Sequence, residues 1–369
     1  MKAKKKLPLF DKLVLCFNCG IAIALLISYL APVTDPRKYW IIAFFGLAYP
    51  PVLLLNILLV VYWLLRKRWL ALISICSILI GVNTLQNNIG FNWGSDSERL
   101  LEVNAFRLMT YNVHNFKKFS KGRDTSTKTE ILTLIKDQSP DIIGIQEFFA
   151  RKRGKFAMTD SIKKGLGYKH YYFENIIGNT EETIGIAIFS KFPITNTGFI
   201  PLSEASSENQ CVYVDIKKAK RIFRVYSVHL QSIKFRSEDY RYLDTVSKSG
   251  RTDITSTRRL GGKLKRAFMK RAEQVFTIKE HTRHCPYPYI IAGDFNDTPT
   301  SFAVNQMAKG IKNAFREKGV GLGRTYNGDF PNYQIDYVLA SNQFDVRSYR
   351  IIEKKLSDHY PIVSDLVLK

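Results

Sequence analysis

The stretch Tyr289–Pro299 reads YIIAGDFNDTP. Tyr289, Ile290, Ile291 and Ala292 have the character of a buried strand, which Gly293 ends. Asp294 and Asn296 follow two residues apart, so on an extended chain they share one face. An acid and an amide are thereby set at the C-terminal tip of a strand, where α/β folds build their sites. Taken alone, the segment also fits a strand, an Asx turn and a helix start, because Thr298-Pro299 is a good cap and first-turn pair. What separates the two is whether the pattern recurs.

It recurs through the C-terminal three quarters of the chain. Apolar runs in FRLMTYNVH, DIIGIQE and RIFRVYSVHL close on Asn112, Glu147 and His229. QIDYVLAS carries Asp336 inside an apolar strand, and LSDHYPIV sets Asp358-His359 just before the last one. Further strands are expected at GIAIFSK, CVYVDIKK, VRSYRII and PIVSDLVL. Helices are expected over TKTEILTLIKDQ, with a Thr127–Glu130 capping box, over GKLKRAFMKRAEQVFTIKEH, and after Pro299 with the stripe Val304, Met307, Ile311 and Phe315. Many strands with few helices predict two packed sheets with helices outside. Ser232–Gly262 reads as an irregular insertion bearing Lys234, Arg236, Arg258 and Arg259 among Phe235, Tyr240 and Tyr242. Each polar strand end has an ordinary structural explanation by itself. Together they are costly, since buried acids need a partner or a metal.

The ordered motifs YNVH, IQE, VHL, GDFN and IDYVLAS…SDHYPIV resemble those of the endonuclease/exonuclease/phosphatase superfamily, which has the fold of pancreatic deoxyribonuclease. The resemblance covers nearly all of 106–369. It implies a four-layer α/β sandwich, two mostly antiparallel sheets flanked by helices, that hydrolyses phosphoesters with Mg2+, for which Mn2+ can substitute. A hard cation with oxygen ligands needs only one or two carboxylates. By resemblance these are Glu147, with Asn112 beside it and Asp358 contributing. Asp294 would orient or deprotonate water, and Asn296 would hold the phosphate. His229 and His359 would donate to phosphoryl oxygens, one of them as general acid, with Asp336 orienting His359 and favouring its charge. His114 stands where some members carry a metal-binding acid, which favours one metal over two. Glu174, in YYFEN, lies where some members pair an acid with the His229-type imidazole. His114, Glu174, Lys234 and Arg236 complete the candidate substrate contacts.

The first 90 residues are different. They hold ten basic and two acidic side chains, leaving +15 of the net +23 on the remainder. Apolar stretches at about 13–33, 40–65 and 69–85 approach the roughly 20 residues that cross a bilayer. Trp40, Trp63 and Trp69 sit at their ends, as interfacial aromatics do. The expected organisation is an anchor of three transmembrane helices over 1–90 and a catalytic domain over 91–369. Lys2, Lys4, Lys5, Lys6, Lys12 and Arg66–Arg68 flank one side, which puts the N-terminus in the cytoplasm and the catalytic domain outside it, a place that would be the periplasm if the source is a Gram-negative bacterium. Cys16, Cys19 and Cys76 read as packing residues, and Cys211 and Cys285 as a pair able to bond in an oxidising compartment.

Substrate is not fixed by the fold. The +15 charge favours a nucleic acid, making the chain a membrane-tethered nuclease. A lipid phosphodiesterase of the sphingomyelinase or phospholipase C kind, or an inositol-phosphate phosphatase, is the alternative. A non-catalytic membrane scaffold is the third.

Overall fold

The computed structural model describes residues 7–92, 104–118, 125–204, 207–328 and 332–369. The chain begins with helices α1 Leu9–Ser28, α2 Pro36–Leu47, α3 Tyr49–Leu65, α4 Ala71–Ile80 and α5 Val82–Asn88, followed by the short strand β1 Ile89–Phe91. Among the described residues only α1 is long and apolar enough to cross a membrane by itself, while α2 and α3 qualify only as a pair bent by 47°. The expected second span is therefore broken, at the place where Pro50-Pro51 removes backbone donors and starts a new helix. The expected third span, 69–85, is also cut short: α4 has 10 residues and ends at Gly81. Lys2, Lys4, Lys5 and Lys6, on which the orientation partly rests, lie outside the described residues, as does the start of the expected catalytic domain at 93–103.

Helices α1, α3 and α4 pack together. Polar side chains stitch the bundle inside. Asn18 donates to Ser74 Oγ at 2.6 Å and accepts from Trp63 Nε1 at 2.8 Å. At one end Asp11 takes Arg66 at 2.9 Å and the Tyr62 hydroxyl at 2.7 Å. The other end meets the rest of the molecule, where α2 lies along a long helix of the C-terminal domain.

That domain holds two six-stranded sheets. One contains β2 Ala105–Asn112, β3 Ile142–Arg151, β4 His170–Gly178, β5 Glu182–Ser190, β13 Phe344–Ile351 and β14 Ile362–Leu368, in the order β13-β14-β2-β3-β5-β4. The other contains β6 Ile194–Ile200, β7 Cys211–Lys218, β8 Arg221–His229, β9 Tyr289–Asp294, β10 Lys312–Asn313 and β12 Asp336–Ala340, in the order β10-β12-β9-β8-β7-β6. A small strand β11 Val320–Leu322 pairs with β1 and ties the N-terminal helices to the domain. Phe106, Leu108, Ile188, Val212, Val225, Ile290 and Leu366 fill the space between the sheets. Helices α6 Thr125–Gln138 and α7 Met158–Leu166 cover the outer face of the first sheet, through Ile131, Leu134, Ile135 and Ile162. Helices α8 Ser237–Ser249, α9 Ile254–Arg283, α10 Phe302–Ala308 and α11 Ala314–Lys318 follow, and α9 and α10 cover the second sheet through Val275, Ile278, Val304 and Met307. The layers are helix, sheet, sheet, helix. Each buried aliphatic side chain in them contributes about 2 kcal/mol.

All nine expected strands are present. Strands β4 and β6, at the sheet edges, were not foreseen, and neither were helices α7 and α8. Ser232–Gly262 is largely helical rather than irregular, with α8 closed by Gly250 in the left-handed conformation and α9 opened by Asp253 accepting from Ser256 N. Thr127 lies inside α6, which already begins at Thr125, and the helix after Pro299 stops at Ala308, so Ile311 and Phe315 do not share it with Met307. Cys211 and Cys285 are both free, and Cys16, Cys19 and Cys76 are exposed on the helical bundle rather than packed.

Each sheet is antiparallel except for one central parallel pair, β2 with β3 and β8 with β9. This is what positions the site. Parallel neighbours run toward the same edge, so Asn112, the last residue of β2, lies opposite Gln146, next to Glu147 at a bulge from which β3 continues to Arg151, and His229 lies opposite Asp294. Strand β12 runs the other way and starts there, with Asp336 opposite Asp294.

Candidate active site

Asp294 is the hub of the polar groups at this edge. It is buried at the end of β9, and Gly293 before it has φ +143 with no room for a side chain: a Cβ there would fall 2.0 Å from Val228 O. Only glycine delivers the aspartate at this close approach of β8 and β9. The carboxylate accepts from Asn112 Nδ2 at 3.1 Å, Asn296 Nδ2 at 3.1 Å and Asn296 N at 2.8 Å. Its Oδ2 stands 3.6 Å from His229 Nε2 and 3.7 Å from His359 Nε2. Burial pushes the Asp294 carboxyl above its usual range, and His359 pulls against that.

His359 Nδ1 faces Asp336 at 3.0 and 3.2 Å from its two oxygens, and Asp336 N donates to Thr325 Oγ1 at 3.0 Å. Burial works against a charged imidazole here. Asp336, and then Asp294, outweigh it and hold the His359 pKa well above the ordinary histidine value. His229 has no such partner, and burial lowers its pKa. The two imidazoles that flank Asp294 therefore differ in charge.

Glu147 sits at a bulge in β3, where register shifts between Ile145 and Phe148, and its φ is +50. His114, Asn115, Phe116 and Asn296 share positive φ, so backbone strain of about 1 kcal/mol or more per residue concentrates around the site. Asn112 Nδ2 reaches Glu147 Oε1 at 3.2 Å. Burial, and secondly the charge of Asp358, raise the Glu147 pKa to about 7. Asp358 goes the other way, to about 2: burial opposes ionisation, but a hydrogen bond from His114 and the charge of His359 overcome it. His114 Nδ1 is 3.2 Å from Asp358 Oδ1.

These residues decide whether a cation fits. Among the described residues, the one cationic side chain within 4 Å of Glu147 is His229 at 3.9 Å, which burial keeps neutral. Asp358 has His114 at 3.2 Å, so of the two carboxylates it is Glu147 whose charge lacks a cationic partner within 4 Å, and Asp358 repels it across the cleft. All-oxygen donors with an unmet charge suit a hard divalent ion. Asp294, Asp336 and His359 also bring ligand atoms within 4.8 Å of one another. There the hydrogen bond between His359 and Asp336 occupies the nitrogen lone pair's place with a proton, so that trio orients an imidazole and is a poorer metal site.

The chemistry-bearing residues of the sequence thus meet, with differences in detail. Asn112 turns its nitrogen to Glu147 and Asp294, its oxygen accepting from His114 N at 3.0 Å. Asn296 donates to Leu230 O at 3.1 Å as well as to Asp294, so its amide is spent on holding the hub. Glu174 lies on β4, bonded by the Tyr172 hydroxyl, and does not line the cleft. Arg236 caps α8 through its backbone N to Asp239 Oδ2, while Lys234 lines the cleft. Arg271, Asp297 and Tyr326 also line it and were missed. Arg271 reads in sequence as one base among many on α9, and only the fold reveals that it is 1% exposed and 3.4 Å from Asp297. The cleft measures about 690 Å³.

Residues 109–359 match the model of the Endonuclease/Exonuclease/phosphatase family. The chain belongs to this family. Its fold is shared by an endonuclease/exonuclease/phosphatase from Beutenbergia cavernae, at 18% identity and TM-score 0.52 over 72% of each chain. It is shared as well by the endonuclease/exonuclease/phosphatase from Bacteroides vulgatus, at 18% identity and TM-score 0.52 over 72% of this chain and 99% of that one. The human Nocturnin catalytic domain with bound sulfate anion matches at 18% identity and TM-score 0.50, over 72% of this chain and 95% of that one. Residues 11–88 match a domain of unknown function. No curated protein matches the chain. As a member of the endonuclease/exonuclease/phosphatase family, it is a metal-dependent phosphoester hydrolase.

Proposed function

We propose that this chain is a membrane-held hydrolase that cleaves a phosphoester by attack of water with one Mg2+, replaceable by Mn2+, held by Glu147 and Asp358. The ion, when bound, supplies charge neutralisation at the non-bridging phosphoryl oxygens. Asp294 orients and deprotonates the water, and Asn112 and Asn296 fix its carboxylate. His359, kept cationic by Asp336, donates to a phosphoryl oxygen or to the departing oxygen, and neutral His229 donates to the other side of the phosphate. The observation that carries this is the convergence on one buried carboxylate, Asp294, of Asn112, His229, Asn296 and His359, drawn from across 248 positions.

The N-terminal unit supports the membrane half. Among its described basic residues, Lys12, Arg66, Lys67 and Arg68 gather at the end away from the domain, where Asp11 meets Arg66, while Arg37 lies over Phe276 at the domain end. This favours the orientation read from sequence, with the N-terminus in the cytoplasm and the domain across the bilayer. The +15 charge of residues 91–369 keeps nucleic acid as a second reading of the substrate.

The test is turnover of a chromogenic phosphodiester, bis(p-nitrophenyl) phosphate, by full chain in nanodiscs. Activity should need Mg2+ or Mn2+, disappear with chelator, and fall at least a hundredfold in Asp294→Asn. Turnover that survives chelation and Asp294→Asn alike would remove the proposal.

A further inference from the structure

The catalytic residues share their cleft with residues from the N-terminal helices. Phe44, Leu47, Ala48 and Pro51, at the bend between α2 and α3, line the same cavity as Glu147, His229, Asp294 and His359. Facing them are Leu264 and Phe268 of α9 and Tyr240 and Leu243 of α8. The seam is tightly made. Phe44 packs edge-on to Phe268 at 5.4 Å, Lys265 lies over Trp40 at 4.6 Å, and a Cβ on Gly46 would fall 3.1 Å from Thr300 O. Beyond the bend, α3 continues with Leu54, Leu58 and Val61 exposed, so the apolar wall leads onto an apolar surface.

Resting on the hydrolase reading above, we infer that the substrate is an amphiphile. Its phosphoester head sits at Asp294 and Glu147, and a long hydrocarbon chain lies along the Phe44–Pro51 wall toward the bilayer. A polyanionic strand would meet apolar carbon where it needs cations, because among the described residues lining the cleft only Lys234, Arg271 and the imidazolium of His359 are cationic, set against four carboxylates. A hydrocarbon chain meets what it needs. Arg271, buried with its Nη2 unpartnered, has a donor left for a phosphate oxygen or headgroup hydroxyl. In the reaction the oxygen of water bonds to phosphorus, the ester P–O bond breaks, and the departing oxygen takes a proton. The chain-bearing product stays in the membrane and the other product leaves in water.

The experiment compares two diesters with one leaving group, ethyl p-nitrophenyl phosphate and hexadecyl p-nitrophenyl phosphate, on full chain in nanodiscs with Mg2+. Each methylene buried on the wall is worth about fourfold, so four buried methylenes raise kcat/KM on the order of 100-fold. Phe44→Ser and Leu47→Gln, checked by gel filtration and melting temperature, should bring the ratio of the two substrates down toward one. Hexadecylphosphonate below its micelle concentration should inhibit ethyl-ester turnover on the order of 100-fold better than methylphosphonate, a comparison that needs no variant. A substrate ratio near one in the unaltered protein, or equal inhibition by the two phosphonates, overturns the inference while leaving the hydrolase standing. Cleavage of DNA or RNA oligonucleotides with a higher kcat/KM than the hexadecyl ester overturns it as well. No turnover of either diester sinks the hydrolase reading and the inference with it.

Discussion

In the sandwich, large apolar side chains such as Phe148, Phe189 and Phe223 are wholly buried, while the surface carries most of the charge. In the N-terminal bundle the relation is inverted. Leu65 is 79% exposed and Trp69 74%, whereas Asn18, Asn56 and Ser74 are completely enclosed. A sheet protein in water buries carbon and shows charge. A bundle whose polar groups turn inward to one another suits hydrocarbon, where an unpaired polar group has no solvent to satisfy it. The comparison teaches where to look for the site: the candidate catalytic residues lie at the edge of the sandwich that touches the inverted bundle, so the cleft has one polar wall and one apolar wall.

The strongest way to break the polar side of that contrast is Asp294→Asn. With its hub neutral, kcat should fall about 10³- to 10⁴-fold, at the upper range for a positioned base, with the melting temperature little changed. A smaller loss, on the order of 100-fold, is expected for Asp336→Asn, and it comes with a signature. His359 is charged below its raised pKa, so its contribution is intact through neutral pH and is lost as pH climbs through that value. Removing Asp336 leaves burial to pull the pKa down, and the alkaline limb of the pH–kcat profile should move to lower pH by a unit or more. An unmoved limb would mean that Asp336 only braces the strand.

Glu147 sharpens the metal half. Its carboxyl, raised to about 7, must lose a proton to take a cation. The concentration of Mg2+ for half-maximal activity should rise about tenfold per unit as pH falls below 7, and flatten above it. The gentlest effect concerns the seam itself. In Gly46→Val the new side chain meets Ala31 Cβ, 2.6 Å from the first added atom, and Thr300 O. It should cost about 1–3 kcal/mol, seen as a melting temperature lower by several degrees.

The difference between the two regions also accounts for what the sequence disclosed. Strands β2, β3, β8, β9 and β12 announce themselves because both faces are covered, so they are mostly apolar, and β2, β8 and β9 end on Asn112, His229 and Asp294. Glu147, read as the end of its strand, instead sits at a bulge, and β3 continues to Arg151. Edge strands β4 and β6 are half-buried or exposed along nearly all of their length and carry no such signal. Glu174 went astray for that reason: it belongs to an edge strand whose register places it beside Ile186, away from the cleft. Helix α8, with Glu238, Asp239, Asp244 and Lys248, has too little apolar surface to read as a helix, and is held by Lys263 and Arg259 on Asp239 from the next one. The apolar wall was illegible for a deeper reason. Phe44 and Leu47 read the same in sequence whether they face lipid or protein, and only the bend at Pro50-Pro51 and the docking of α2 on α9 turn them toward the cleft of Glu147 and Asp294.

The most direct test of the central claim, that water held at Asp294 attacks phosphorus, is hydrolysis in ¹⁸O-labelled water. The full chain with Mg2+ should place one ¹⁸O in the phosphate-bearing product and none in the released alcohol, and Asp294→Asn should form neither product at a measurable rate. Label in the alcohol, or undiminished labelled phosphate from Asp294→Asn, would contradict the account.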